Sequence, residues 1–216
     1  MILTVGNVKG GVGKSLLACN LAVALRARGR EVLLIDGDDD LASTATFAQI
    51  RAQTDAAVFT TVEIHGAAIR QQMPKLVEKY DEIVIDVGGR DTGSLRAALT
   101  VTNALLVPFP PRSVDIWAAD IVARIVSEAQ SVNDLKAYSI LNAADASGRD
   151  NDEALEMLRA VEGIKVLPFM IGRRKAFPNA FTAGLGVIEQ DHKDPKAVNE
   201  ILSLMNALYA HTIDER

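Results

Sequence analysis

The chain has 216 residues, a net charge of −5 and a hydrophobic fraction of 49%. This length suits one folded domain with a full core, and the acidic balance excludes a protein that is basic over its whole surface. No apolar run approaches the roughly 18 residues that a membrane-spanning helix needs, and the first residues do not have the pattern of a signal peptide. The single cysteine, Cys19, allows no internal disulfide and no cysteine-built metal site, which is typical of a reducing cytoplasm.

Apolar strands and amphipathic helices are predicted to alternate along the whole chain. The first half of the chain is predicted to form a strand over 2–5, a helix over 14–28, a strand over 31–35, a helix over 41–51, a strand over 58–62, a helix over 65–80, a strand over 82–86, a helix over 92–102 and a strand over 104–108. The second half is predicted to form a helix that is capped by Ser113 or Asp115 and runs to 130, a strand over 135–141, a helix over 151–161 and a strand over 164–167. An irregular or partly helical segment over 173–191 and a closing helix over 195–210 follow. Pro74 either kinks the third helix or opens a second one. The alternation predicts a single α/β domain over 1–216, in which a mostly parallel central sheet is flanked by helices on both faces.

The segment between the first strand and the first helix is rich in glycine and carries two lysines. Its central residues are Lys9, Gly10, Gly11, Val12, Gly13, Lys14 and Ser15. Glycines let backbone N–H groups turn inward around phosphate oxygens, which also lie against the positive end of the helix dipole. Lys14 then reaches the β- and γ-phosphates, and the Ser15 hydroxyl is placed to bind Mg²⁺. The sequence therefore predicts a phosphate-binding loop; the alternative is a glycine turn without a ligand.

Acidic residues follow two of the predicted strands. Asp36 and Asp38 come after the second strand, and Asp86 ends the fourth. Ligands of parallel sheets bind at the carboxyl ends of the strands, so these carboxylates and the glycine loop are expected on one rim. There Asp86 is placed to hold Mg²⁺, usually through water. Alternatively the acids after the second strand cap the following helix, which is the preferred interpretation for Asp39 and Asp40.

The loop departs from the common phosphate-binding form, because Val8 stands where that form has glycine and Lys9 follows. This "deviant Walker A" pattern resembles the ParA/MinD family of nucleotide-switch ATPases, which share the P-loop NTPase fold. Residues 87–89, Val-Gly-Gly, are similar to the corresponding segment of small ParF-like partition ATPases. The resemblance implies ATP and Mg²⁺ as cofactors. It also implies that Lys9 crosses a dimer interface and neutralises charge on the phosphates that the other subunit binds, while Lys14 contacts the phosphates bound by its own subunit.

The same resemblance implies roles for five further residues. Asp38 would orient or deprotonate the attacking water, and Asp36 would support the outer shell of the metal. Asn142 would contact adenine, and Pro168 would line the base pocket. Leu16 lies in the phosphate-binding loop where many relatives carry a second hydroxyl residue, so one phosphate contact is expected to be missing.

A local excess of basic residues lies late in the chain, where residues 165–196 hold six Lys and Arg against three Asp and Glu. The candidate DNA contacts in and around this stretch are Arg173, Arg174, Lys175, Lys193 and Lys196. They resemble the surface with which family members bind the DNA backbone without sequence preference. The alternative is an ordinary solvated face. The closing helix has an apolar stripe but no basic polar face, so it is predicted to pack on the core and not on a membrane.

The resemblance implies a ParA-type ATPase that hydrolyses ATP slowly alone and faster with a partner. The expected assembly is an ATP-dependent homodimer on nonspecific DNA, in the cytoplasm and on the nucleoid. The expected partner is a small ParB-like centromere-binding or adaptor protein, with no membrane involved. Plasmid or chromosome partition is the first interpretation. Positioning of a protein cargo, such as a carboxysome or chemotaxis cluster, stays open, as does an ATP-dependent biosynthetic enzyme of the same superfamily.

Overall fold

A computed structural model describes residues 1–38, 42–89, 93–111, 118–147 and 149–213, with side chains up to residue 209. The strands in these ranges are β1 (Ile2–Val5), β2 (Val32–Gly37), β3 (Thr60–Glu63), β4 (Glu82–Val87), β5 (Ala104–Phe109), β6 (Lys136–Ala144) and β7 (Lys165–Gly172). The helices are α1 (Lys14–Ala27), α2 (Ser43–Arg51), α3 (Ala67–Leu76), α4 (Gly93–Leu99), α5 (Ala119–Gln130), α6 (Arg149–Arg159), α7 (Ala176–Thr182) and α8 (Pro195–Ile213). Strands and helices therefore alternate as the apolar pattern predicts.

The strands form one parallel sheet in the order β3-β2-β4-β1-β5-β6-β7. Every residue of β1, β2, β4 and β5 is buried, as expected for strands covered on both faces. The predicted α/β fold with a central parallel sheet is confirmed. Because all the strands run the same way, their carboxyl ends lie on one rim of the sheet.

Alternate residues of each strand enter two separate cores. In β2, Leu33 and Ile35 pack with residues of α3, α4, α5 and α6 on one face. Val32 and Leu34 pack with residues of α1, α2, α7 and α8 on the other. Cys19 is buried in this second core, as the sequence predicts for a small apolar residue.

Two strands at one edge of the sheet are longer than the sequence predicts. The apolar pattern ends β6 at residue 141 and β7 at residue 167, but the strands continue to Ala144 and Gly172. Asn142 and Pro168 therefore lie within strands and not after them. Pro168 is in the edge strand, where the pairing register with β6 shifts, and such a place tolerates a residue without an N–H.

Several helices also differ from their predicted bounds. Pro74 lies inside α3, so it does not open a second helix, and α7 is a regular helix within a segment expected to be irregular or partly helical. The predicted caps at Ser113 or Asp115 and at Asp39 and Asp40 lie outside the described residues.

The closing helix α8 packs on the core, as predicted. It contacts α1 and β7, and its residues Ile201, Met205 and Tyr209 are fully buried. Among the described residues, no helix is long and apolar enough to cross a membrane.

Candidate functional site

The loop that follows β1 has a conformation that only glycine adopts easily. Gly11 and Gly13 have φ values of 72° and 91°, in the left-handed region. Gly13 is also the N-cap of α1, and no side chain of the described residues caps this helix end. The first N–H groups of α1 are therefore left for a ligand, which is the arrangement that binds phosphate.

Two buried asparagines hold this loop at its two ends. The Asn7 amide donates to the carbonyl of Pro108 in β5 (2.8 Å), and its Oδ1 accepts the N–H of Lys9 (3.1 Å). At the other end, the Asn142 amide donates to the carbonyl of Val12 (2.7 Å), and a methyl group at Gly13 would collide with that amide. Asn142 thus supports the loop in this structure, and its contact with adenine stays a prediction.

Lys14 is buried at the start of α1, with only 6% of its surface exposed. Its ammonium donates to the carbonyl of Lys9 (3.0 Å) and so closes the loop on itself. Burial lowers the pKa of Lys14, while the nearby carboxylates of Asp86 and Asp38 raise it in part. A buried cation beside two carboxylates would be stabilised further by a polyanionic ligand.

Asp36 and Asp86 lie side by side at the ends of β2 and β4, where the strand register pairs them directly. Both oxygens of Asp36 accept backbone hydrogen bonds, one from the N–H of Asp38 (3.2 Å) and one from that of Ala45 (2.8 Å). Burial raises the pKa of Asp36. The carboxylate thus links the end of β2 to the first turn of α2, and its role in the metal's outer shell stays a prediction.

Asp86 is almost completely buried, and its carboxylate accepts fewer hydrogen bonds than its two oxygens allow. Its Oδ2 accepts the hydroxyl of Thr44 (2.7 Å), while Oδ1 accepts no hydrogen bond from the described residues. Burial raises the pKa of Asp86 to about 7, and the hydroxyls of Ser15 and Thr44 offset this effect in part. Thr44 was not predicted, because a threonine in the first turn of a helix carries no local signal of a distant partner.

The arrangement around Asp86 fits a magnesium ion. The unsatisfied Oδ1 is a buried acceptor, and Ser15 supplies a hydroxyl from the loop. Among the described residues, no cluster of three or more His, Cys, Asp or Glu could hold a metal alone. Mg²⁺ commonly takes one or two protein ligands and completes its shell with phosphate and water, so Ser15 and Asp86 suit it.

The segment after β4 packs directly on the loop. A methyl group at Gly89 would lie 2.6 Å from both the N and the Cα of Gly10, so no larger residue fits there. A methyl group at Gly88 would lie 3.0 Å from Oδ1 of Asp38. These two glycines therefore touch the phosphate loop and the predicted water-orienting carboxylate at once. Arg90 and Asp91, which follow them, lie outside the described residues.

A cavity of about 480 Å³ opens beside the loop. The loop contributes Gly10, Gly11 and Gly13 to its lining, and the first turn of α1 contributes Lys14, Ser15 and Leu16. Asp38, Ser43 and Gly89 line it as well, and α7 contributes Pro178, Phe181 and Thr182. The sequence does not single out the α7 residues. Pro168 is exposed and is not among the lining residues, and its place in a base pocket stays a prediction.

The basic cluster divides into paired arginines and exposed lysines. Arg174 makes a close ion pair with Glu200 (2.6 Å), and Arg173 pairs with Asp145 (3.2 Å). Both acidic partners lie outside the stretch 165–196, so the local charge count overstates the positive charge of this face. The remaining candidates are exposed: Lys175, Lys193 and Lys196.

Known proteins share this sequence pattern and fold. The family model of the CobQ/CobB/MinD/ParA nucleotide binding domain matches residues 3–200. "Maintenance of carboxysome distribution protein A" of Halothiobacillus neapolitanus is 27% identical over 209 residues, which cover 94% of each chain.

Two solved structures have the same fold at low sequence identity. Apo McdA from Cyanothece superposes with a TM-score of 0.79 and 17% identity, over 96% of this chain and 98% of that one. Cobyrinic acid a,c-diamide synthase from Mycobacterium smegmatis, with a bound ATP analogue and magnesium, superposes with a TM-score of 0.79 and 19% identity, over 100% of this chain and 96% of that one.

The family match spans nearly the whole chain and includes the loop, Asp36 and Asp86. Together with the parallel sheet and the glycine loop at its rim, it confirms the resemblance to ParA and MinD. The chain belongs to the CobQ/CobB/MinD/ParA family of nucleotide-binding domains.

Proposed function

We propose that the chain is a ParA-type ATPase that binds ATP with Mg²⁺ in the cavity beside the glycine loop. The observation that carries this proposal is the buried carboxylate of Asp86, which interacts with Ser15 and Lys14 and has an unsatisfied Oδ1. The loop N–H groups and the start of α1 receive the phosphates, and Lys14 neutralises their charge. Ser15 and Asp86 hold the Mg²⁺, which supplies further charge neutralisation when it is bound.

Hydrolysis uses the carboxylate of Asp38, which lines the cavity next to Gly88 and Gly89. Asp38 orients the attacking water and accepts its proton, because a water aimed at the γ-phosphorus must lose a proton as it attacks. Asp36 holds the backbone N–H of Asp38 and so fixes the start of the segment that carries it. Hydrolysis is slow until a partner protein completes this arrangement.

ATP joins two subunits through Lys9. This lysine is at the front of the loop, where its backbone carbonyl accepts from Lys14. Its side chain reaches the phosphates bound by the partner subunit, in the manner of an arginine finger supplied in trans. The γ-phosphate thereby provides contacts across the dimer that ADP lacks, so the nucleotide state decides whether two subunits stay together.

The cargo that this switch positions is a protein assembly of the carboxysome kind. Support comes from the relative in Halothiobacillus neapolitanus, which its name links to carboxysome distribution and which matches over 94% of each chain. Plasmid or chromosome partition remains the second candidate, since the same switch serves both and the partner chooses the cargo. The partner is a small ParB-like or adaptor protein, and the dimer works in the cytoplasm on the nucleoid.

Nonspecific DNA binds the closed dimer through the exposed lysines Lys175, Lys193 and Lys196. Arg174 contributes little, because its guanidinium is already held by Glu200. Backbone contacts of this kind weaken steeply with salt. Replacing Lys175 and Lys193 with alanine should therefore reduce ATP-dependent retention on DNA, while Arg174→Ala should change it less.

The test of the whole proposal is DNA retention and ATP turnover measured with the same protein. Wild type should be retained by DNA with MgATP at low salt, released at high salt, and released without ATP. Lys14→Ala should bind no nucleotide and show neither property, whereas Lys136→Ala, an exposed lysine at the start of β6, should match wild type. Retention that is the same with and without ATP would contradict the proposal.

A further inference from the structure

The α7 wall of the cavity, which consists of Pro178, Phe181 and Thr182, is tied to α2 by the buried side chain of Arg51. The side chain of Arg51 is 2% exposed and is among the largest fully buried side chains of the described residues. A buried guanidinium is costly unless all of its donors are paired. The partners of Arg51 therefore show what it holds together.

All five N–H groups of Arg51 have acceptors. Two of them, on Nε and Nη2, donate to the carbonyl of Ala57 (3.0 and 2.7 Å). One on Nη1 donates to the carbonyl of Gly184 (3.0 Å). The remaining two form a bidentate pair with Glu189, at 2.8 Å to each oxygen. Two parallel hydrogen bonds between a guanidinium and a carboxylate are specific to arginine, and they fix the direction as well as the distance between Arg51 and Glu189.

Two of these acceptors belong to the segment that directly follows α7. Gly184 packs so tightly on α2 that a methyl group there would lie 2.5 Å from the backbone nitrogen of Arg51. The N–H of Gly184 in turn donates to the carbonyl of Phe181 (3.1 Å), which joins the segment to the end of α7. The rings of Phe47 in α2 and Phe181 in α7 contact each other in a tilted arrangement, with 5.3 Å between their centroids. These contacts tie α7 to α2.

The cavity has two chemically different sides. The loop side offers backbone N–H groups, Lys14 and Ser15, which suit phosphates. The α7 side offers Pro178 and Phe181, which are apolar, and the ring of Phe181 is flat. A nucleotide whose phosphates occupy the loop therefore leaves its nucleoside part for the α7 wall.

We propose that Arg51 is a positioning residue that, through Glu189 and Gly184, fixes α7 as the wall against which the nucleoside part of the bound nucleotide lies. This inference rests on the proposed binding of ATP in the cavity. Arg51 itself touches no nucleotide. It shapes the part of the site that distinguishes a nucleoside triphosphate from a bare chain of phosphates.

The experiment compares the binding of MgATP and of inorganic tripolyphosphate with Mg²⁺ by calorimetry. Glu189→Gln and Arg51→Lys both remove the bidentate pair, and Glu189 is partly exposed, so Glu189→Gln is expected to fold. Because a loosened wall must be ordered again on binding, the affinity for MgATP should fall by about tenfold. The affinity for tripolyphosphate should change by less than about twofold, since the loop is untouched. In turnover, KM for ATP should rise while kcat stays near that of wild type.

A matched control separates this role from general stability. Glu82 is buried and pairs with Arg30 (3.4 Å) at the opposite end of the sheet, where the parallel strands begin. Glu82→Gln should lower the free energy of unfolding in urea and leave both affinities unchanged. Suppose that wild type binds ATP and that Glu189→Gln and Arg51→Lys bind it equally well. The inference is then overturned, while the proposed function stands. The same holds if both variants lose affinity for ATP and for tripolyphosphate in parallel. A wild-type chain that binds neither ligand overturns the proposed function and the inference together.

Discussion

Replacing Asp86 with asparagine should stabilise the nucleotide-free protein at pH 8, although it removes a proposed Mg²⁺ ligand. The carboxyl is almost completely buried, and burial raises its pKa from 3.8 to about 7. In this interval the folded chain binds a proton that the unfolded chain has lost, so stability falls as the pH rises from about 4 through 7. At neutral and higher pH, the ionised carboxylate of Asp86 therefore lowers the free energy of unfolding of the nucleotide-free protein.

The size of the effect follows from the shift. A difference of about 3 pKa units, at 1.36 kcal/mol per unit, amounts to about 4 kcal/mol, fully present above the folded pKa. About 3 kcal/mol of this lies between pH 5 and pH 8, which is a large part of the stability of an ordinary domain. The net gain in Asp86→Asn is smaller, about 2 kcal/mol at pH 8, because the buried amide of asparagine brings N–H groups that must find acceptors.

The assay is urea unfolding of wild type and Asp86→Asn in EDTA without nucleotide, at pH 5 and pH 8. The difference between the two proteins should be large at pH 8 and small at pH 5. Asp38→Asn is the control, because Asp38 lines the same cavity but is only half-buried. With saturating MgATP, wild type should gain stability and Asp86→Asn should gain little. Equal pH dependence in wild type and Asp86→Asn would refute the reasoning.

Three further substitutions test the site. Gly89→Ala places a methyl group 2.6 Å from the backbone of Gly10, so it should displace the loop and weaken MgATP binding by about a hundredfold in calorimetry, whereas Gly93→Ala, with nothing within 4 Å, should bind as wild type. Unchanged affinity of Gly89→Ala for MgATP would show that the contact between Gly89 and Gly10 does not shape the phosphate-binding loop. Asp38→Ala should abolish ATP hydrolysis in a phosphate-release assay and leave a dimer trapped on DNA; normal turnover would exclude the proposed role. Leu16→Thr adds the missing hydroxyl and should tighten MgATP binding by about threefold, and looser binding would show that no phosphate lies there.

The parts of the site that were predictable from the sequence are contiguous or lie at strand ends. The glycine loop is one uninterrupted segment between a strand and a helix. Asp36 and Asp86 each end an apolar run, and parallel strands bring such ends together. These signals need no knowledge of distant contacts, because the backbone alone determines where the residues lie.

The residues that escaped prediction act across long stretches of chain. Thr44 bonds Asp86 over a separation of 42 residues, and Arg51 pairs with Glu189 over 138. A buried polar side chain in a helix looks the same in sequence as an exposed one. The basic cluster shows the same limit, since Glu200 pairs with Arg174 from outside the segment in which charges were counted.

The dependence of dimerisation on Lys9 tests the central claim most directly. Sedimentation velocity should show wild type as a dimer with MgATP and as a monomer with ADP, while Lys9→Ala binds MgATP and stays a monomer. Lys175→Ala, a control at an exposed lysine, should dimerise like wild type. A Lys9→Ala protein that dimerises normally with MgATP, or a wild-type protein that remains a monomer with ATP bound, would contradict the account.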